Sequence, residues 1–217
     1  PIGFAYETIA SKNWNEEWEK AFTPVFVTDK IHVRAIFHEP NPAYPLEIVI
    51  QPKQAFGTGH HTTTCLMLEN MLGLDFVGKR VLDCGTGTGI LAVLAHKLGA
   101  GYINAYDIDS WSIENTQENL ELNQVTGVEV WQGKIASLTH SEPFDFVLAN
   151  INRNILIAEM PQYEAVMAMG GHILFSGFYA SDVALVTDAA NKAGLTFVSQ
   201  QTGFQDWTLL HFEKSAK

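Results

Sequence analysis

Seven residues, Asp83-Cys84-Gly85-Thr86-Gly87-Thr88-Gly89, set a carboxylate directly before a turn with glycine at alternate positions. They end an apolar run, RVLDC, and open a helical one, so the backbone N–H groups of a helix start would face a ligand there. The turn carries no lysine of the kind that a phosphate-gripping loop uses. The dinucleotide fingerprint G-x-G-x-x-G would place its third glycine at position 90, which is Ile90. Asp83 would repel a pyrophosphate seated on the helix start and favour an ammonium group instead.

The run Asp107-Ile108-Asp109 closes the next strand. A carboxylate at that point of a doubly wound sheet hydrogen-bonds ribose hydroxyls. A ligand with a ribose, an ammonium and no phosphate is S-adenosyl-L-methionine, and an acidic loop also tolerates its sulfonium. Asn150 ends a third strand, FDFVLAN, and so points into the same crevice, where its amide offers both a donor and an acceptor. Capping of the following helix is the plainer role for Asn150, and the two are compatible.

Upstream lies FGTGHHTTTC, Phe56–Cys65. Gly57 and Gly59 would let backbone approach a ligand closely. Thr62, Thr63 and Thr64 offer hydroxyls to cap the helix TTTCLMLENML and to reach the ligand's methionine part, and Phe56 could cover a channel. His60 and His61 have no third ligand near them in sequence, so a metal is not expected. A local hydrogen bond ordering the loop competes with proton abstraction as the role of His61.

These residues need a scaffold. Buried-type strands are expected at RVLDC, YINAYDI, VEVWQG, FDFVLAN, GHILFSG and LTFVSQ, and helices over 88–98, 110–122, 152–168 and 181–193. Gly99 and Gly194 sit where glycines end helices. This alternation predicts an α/β fold with a doubly wound, mostly parallel sheet. The runs 195–201 and 206–213, with no helix between them, should form an antiparallel hairpin at its edge. Ahead of them, SKNWNEEWEKAF (11–22) reads as a short amphipathic helix with Trp14, Trp18 and Phe22 on one face. Extended segments are expected at Ile31–Phe37 and Leu46–Ile50. The expected division is a linker region, 1–45, and a catalytic domain, 46–217. Cys84 reads as core at a strand end, Cys65 as a helix position, and Trp207 as edge-strand packing, with a channel role as its alternative. Trp111 could stack on an adenine or pack on the sheet.

The chain has 217 residues, 47% hydrophobic and 17% charged, enough for one well-filled core. Thirteen Lys+Arg against 24 Asp+Glu leave a formal charge of -11, which makes free nucleic acid a poor partner. Two cysteines argue against a disulfide framework. No apolar run approaches a membrane span and no signal peptide is visible, so a cytoplasmic protein is expected.

FGTGHHTTT, VLDCGTGTGILAV, YDIDSWSIENTQEN, FDFVLANINRNIL and GGHILFSGFY, in that order, resemble the bacterial ribosomal protein L11 lysine methyltransferase (PrmA) family. The resemblance runs from about Asn13 onward, and FGTGxHxTT is its most discriminating element. It implies the seven-stranded, Rossmann-like sheet of a class I methyltransferase. It implies that Thr64, Gly85, Asp107 and Asn150 contact S-adenosyl-L-methionine; the turn and acidic run add Asp83, Gly87 and Ile108, and the upstream loop Thr58. It also implies a ribosomal protein substrate methylated at lysine ε-amino groups and its N-terminal amine. Asn150, Phe56 and His61 are the candidate catalytic residues. Asn150 and the carbonyls near Ile151 would aim the amine, although Asn150-Ile151-Asn152-Arg153 only partly matches the Asn/Asp-Pro-Pro-aromatic element of related amino-group methylases. Family members carry a small recognition domain ahead of the linker helix. Because Pro1 lies close to that helix, a truncated catalytic domain with impaired substrate docking is expected. Competing readings are a methyltransferase of RNA or small-molecule amines, a nicotinamide oxidoreductase, and a cofactor-binding module without full activity.

Overall fold

The computed structural model of the chain describes residues 22–53, 55–139 and 142–215. The helix expected over 11–22 lies outside them apart from Phe22.

Ten strands and five helices are described. The strands are β1 (Val25–Val27), β2 (Ile31–Ala35), β3 (Leu46–Ile50), β4 (Arg80–Cys84), β5 (Tyr102–Asp107), β6 (Val128–Gln132), β7 (Phe144–Asn150), β8 (Met167–Tyr179), β9 (Thr196–Thr202) and β10 (Trp207–Glu213). The helices are α1 (Thr62–Met71), α2 (Ile90–Lys97), α3 (Ser110–Leu122), α4 (Arg153–Val166) and α5 (Val183–Ala193). Strands β4 to β10 form a seven-stranded sheet in the order β6-β5-β4-β7-β8-β10-β9. Its first five members run parallel, while β10 pairs antiparallel with β8 and β9. The fold is therefore the doubly wound sheet with an antiparallel edge hairpin that the alternation predicts. Strand order reverses between β4 and β7, and a crevice opens at their carboxyl ends.

Alternation along the strands sorts the core into two layers. Val81, Ile103, Phe146 and Leu148 pack with α1, α2, α3 and the small sheet on one face. Leu82, Tyr106, Val147 and Ala149 pack with α4 and α5 on the other. Side chains alternate between faces along a strand, so a one-residue slip of β7 would exchange its two sets. Each such Leu, Ile, Val or Phe contributes roughly 1.5–3 kcal/mol by leaving water.

Differences from the expected elements have local causes. Helix α2 begins at Ile90 because Thr88 and Gly89 are used by the turn, Gly89 being left-handed. Helix α4 starts after Asn152, whose side chain accepts from Asn154 N, and yields to strand at Met167. Strand β8 is longer than GHILFSG because its pairing with β7 jumps from Phe144↔Met167 to Phe146↔His172, leaving Gly170-Gly171 in a bulge. Strand β1, only three residues long, carries too short a pattern to be read. It pairs antiparallel with β2, which runs parallel to β3 along all five residues. A division between residues 45 and 46 would thus pass through this small sheet.

Candidate active site

The crevice holds a cavity of about 870 Å³. Its wall includes Gly85 and Gly87 from the turn, Asp107 at the end of β5 with Ile108 and Asp109 beyond it, and Asn150 at the end of β7 with Ile151 and Asn152 beyond it. Phe56 and His61 close the side toward the upstream loop. Of the expected cofactor residues, Gly85, Gly87, Asp107, Ile108 and Asn150 therefore share one wall. Asp83, Thr64 and Thr58 do not line it. Thr58 pairs through Oγ1 with His60 Nδ1 at 3.1 Å.

Asp83 sits behind the turn, fully buried. Its Oδ2 accepts from Thr86 Oγ1 at 2.7 Å, while its Oδ1 is buried without a partner. In its ionised form this carboxyl adds negative charge behind the glycine turn, which disfavours a phosphate there. Burial, helped by the nearby charge of Asp107, pushes the Asp83 carboxyl up to about 7 despite the hydrogen bond from Thr86. Asp83 shapes the field behind the turn without touching the cavity.

Asp107 uses both oxygens on its surroundings: Oδ2 accepts from Gly87 N at 3.0 Å and Oδ1 from Asp109 N at 3.1 Å. Each carboxylate oxygen accepts two hydrogen bonds, so capacity for two hydroxyl donors remains. Ile108, Trp111 and Ile155 stand 55%, 57% and 42% exposed, large apolar side chains on the cavity wall. A flat ligand ring would cover such a surface. Charged groups on the wall are Asp107, Asp109, Glu159 and Lys134, a net negative set.

Asn150 is held by backbone packing. Ile151 N donates to Ser176 O at 3.1 Å, and Gly177 lies so close that a Cβ on it would meet Ile151 O at 2.3 Å. Gly177 also has φ +98°, so any side chain would be strained there and would push the Asn150 turn away. Asn150 Nδ2 faces Thr64 Oγ1 at 3.5 Å, while Oδ1 is buried without a partner. An unpaired buried acceptor is costly unless a ligand donor reaches it.

An aromatic wall closes the same end. His61 lies 5.2 Å from Phe56 and 4.7 Å from Trp207, ring to ring, and Trp207 stacks on Tyr179 at 4.0 Å. The His61 ring, in place of a threonine hydroxyl, caps α1: Thr63 N donates to His61 Nδ1 at 3.3 Å. Burial lowers its pKa, which keeps that nitrogen an acceptor. His60 is engaged elsewhere, with Nε2 at 2.9 Å from Thr23 O. Among the described residues no group of three His, Cys, Asp or Glu could hold a metal, and no helix is long and apolar enough to cross a membrane. Cys84 is buried core; Cys65 donates to Gly59 O at 3.0 Å.

Lys134, Ile155 and Glu159 were not expected on this wall, and Trp207, read first as edge-strand packing, lies on it as well. Ile155 lies within FDFVLANINRNIL, but no local motif marks Trp207, Lys134 or Glu159. Trp207 arrives through the β10–β8 register, opposite Tyr179. Glu159 follows from the helical period of α4, four residues beyond Ile155.

The family profile described as ribosomal protein L11 methyltransferase (PrmA) matches residues 2–215. The chain belongs to that family. A ribosomal protein L11 methyltransferase of Porphyromonas gingivalis is 48% identical over 201 residues, covering 92% of this chain and 69% of that protein. One from Bacteroides fragilis is 45% identical over 201 residues, covering 92% and 72%. The crystal structure of a ribosomal protein L11 methylase from Lactobacillus delbrueckii subsp. bulgaricus matches with a TM-score of 0.82 at 25% identity, over 90% of this chain and all 100% of that one. Membership in the L11 methyltransferase family removes the nicotinamide reading of the glycine turn.

Proposed function

We propose that the chain transfers methyl groups from S-adenosyl-L-methionine to lysine ε-amino groups and the N-terminal amine of ribosomal protein L11. The names of its relatives support the substrate. The observation that carries the amine chemistry is Asn150 Oδ1, a buried acceptor without a partner on a residue of the cavity wall. A ribosomal protein substrate also implies a cytoplasmic enzyme.

The residues present fit the cofactor. Asp107 would hold its ribose hydroxyls, the Gly85–Gly87 backbone its amino-acid part, and Ile108 and Ile155 its base. When bound, S-adenosyl-L-methionine supplies a methyl carbon activated by the adjoining sulfonium. The chain's own residues prepare the amine. A lysine entering past Phe56, His61 and Trp207 sheds water, and desolvation lowers its pKa from the usual ~10.4, releasing a proton to solvent. The neutral amine donates to Asn150 Oδ1, which points its lone pair into the cavity. Thr64 Oγ1, accepting from Asn150 Nδ2, keeps the amide in that orientation. The aromatic faces then hold the cationic methylammonium product.

Calorimetric titration with S-adenosylhomocysteine and with NAD tests the cofactor. Binding of the first alone is expected; binding of NAD alone would overturn the proposal.

A further inference from the structure

The cofactor-side and amine-side walls of the cavity are tied together by residues that line neither. Thr88 N donates to Phe56 O at 2.9 Å, and Thr88 Oγ1 to Gly57 O at 2.6 Å. The approach is close: a Cβ on Gly87 would lie 2.2 Å from Phe56 O, and Gly87 holds φ +57°. Behind Thr88 stands α3. Asn119 Nδ2 donates to Thr88 O at 2.8 Å, and Asn119 Oδ1 accepts from Gln51 N at 2.7 Å.

Asn119 belongs to a ladder. Asn115, Asn119 and Asn123 recur at four-residue spacing and so share one face of the helix. Asn115 Nδ2 donates to Gln51 O at 3.1 Å. Asn123 Oδ1 accepts from Val49 N at 2.9 Å, and its Nδ2 donates to Val49 O at 2.6 Å. The three amides serve the free edge of β3 as a neighbouring strand would. Thr116 Oγ1 adds a bond to Gly87 O at 3.0 Å. Thr88, Asn115, Thr116 and Asn119 are all fully buried, so these bonds are shielded from water and costly to break.

We infer that Thr88 and Asn119 are positioning residues for methyl transfer: they lock the Phe56 loop to the glycine turn and so fix the spacing of the amine wall from the cofactor wall. The inference rests on the methyltransferase reading above. In-line transfer is sensitive to such spacing, since a displacement of about 1 Å can cost on the order of 10²-fold in rate.

The test compares Thr88→Val, which keeps the branched shape and loses the hydroxyl, with Thr88→Ser, which keeps the hydroxyl. For Thr88→Val we expect kcat on ribosomal protein L11 to fall at least about tenfold, with the Kd for S-adenosylhomocysteine within about threefold of wild type. Thr88→Ser should recover kcat to within about twofold. Thr88→Ala, which adds no bulk, should give the same split and serves if the valine variant folds poorly. Unchanged kcat in both variants, or a Kd that rises in step with the loss of kcat, overturns the inference. Amide exchange of residues 55–61, measured with S-adenosylhomocysteine bound, separates the two readings. If wild type binds the cofactor but methylates no protein, the substrate reading fails, yet faster exchange in Thr88→Val still supports the lock. Unchanged exchange refutes the lock whatever the substrate is.

Discussion

Asn150, a residue of the cavity wall, turns one end of its amide to Thr64, Nδ2 to Oγ1 at 3.5 Å, and leaves the other, Oδ1, buried without a partner. The pair divides the work between orientation and contact. Asn150→Ala should lower kcat by about 10²-fold, as the loss of one preorganised hydrogen-bonding group at a reacting centre does. The Kd for S-adenosylhomocysteine should move by less than about fivefold. Thr64→Val should cost less, about five- to tenfold in kcat, because the amide keeps its place but loses its guide. Steady-state kinetics with ribosomal protein L11, alongside calorimetry, read both.

Trp207 lines the cavity, stacked on Tyr179 and set at a steep angle to His61. A cation over an aromatic face gains about 1–2 kcal/mol, so Trp207→Leu should raise KM for the protein substrate about tenfold, with cofactor binding unmoved. Trp207→Phe should recover most of the loss. Equal KM for the leucine variant would remove the aromatic wall from the account.

Asp83 should leave a mark on stability against pH. Its carboxyl is raised from 3.8 to about 7 in the fold, chiefly by burial. The native state therefore keeps a proton that the unfolded chain releases. The corresponding stability is fully present below about 3.8 and is lost as pH rises to about 7. Thermal midpoints from pH 4 to 8 should show Asp83→Asn gaining on wild type as pH rises. A constant difference across that range would contradict the shift.

His61 gives the opposite slope. Burial lowers its pKa from 6.5, so the neutral ring's cap on α1 is intact above about 6.5 and is lost as pH falls through the lowered value. Asn is a good N-cap, so His61→Asn should keep stability near neutral pH and flatten the acid slope. A pH–rate profile whose basic group vanishes in this variant would instead make His61 a proton acceptor.

Much of the frame was legible because strands and helices announce themselves within a few residues. RVLDC, FDFVLAN and the helix over 110–122 coincide with β4, β7 and α3. Their apolar spacing is local, and Gly99 and Gly194, at φ +96° and +92°, end helices as their positions suggest. The site was legible only in part, since a motif gives a residue's neighbours along the chain and not its direction. Asp83 and Thr64 lie in telling motifs yet face inward, both fully buried. Trp207 lies in no motif and faces the cavity, placed there by strand register. The Asn115–Asn119–Asn123 ladder escaped notice for the same reason. Its period is visible, but the strand edge it serves is some 70 residues away, 74 for Asn123 and Val49.

The most direct test is intact-mass analysis of ribosomal protein L11 after incubation with this chain and S-adenosyl-L-methionine, followed by peptide mapping. Mass increments in multiples of one methyl group, mapped to lysine side chains and the N-terminal amine and appearing about 10²-fold more slowly with Asn150→Ala, are the predicted result. Ribosomal protein L11 left unmodified while RNA or a small-molecule amine gains the methyl group would contradict it.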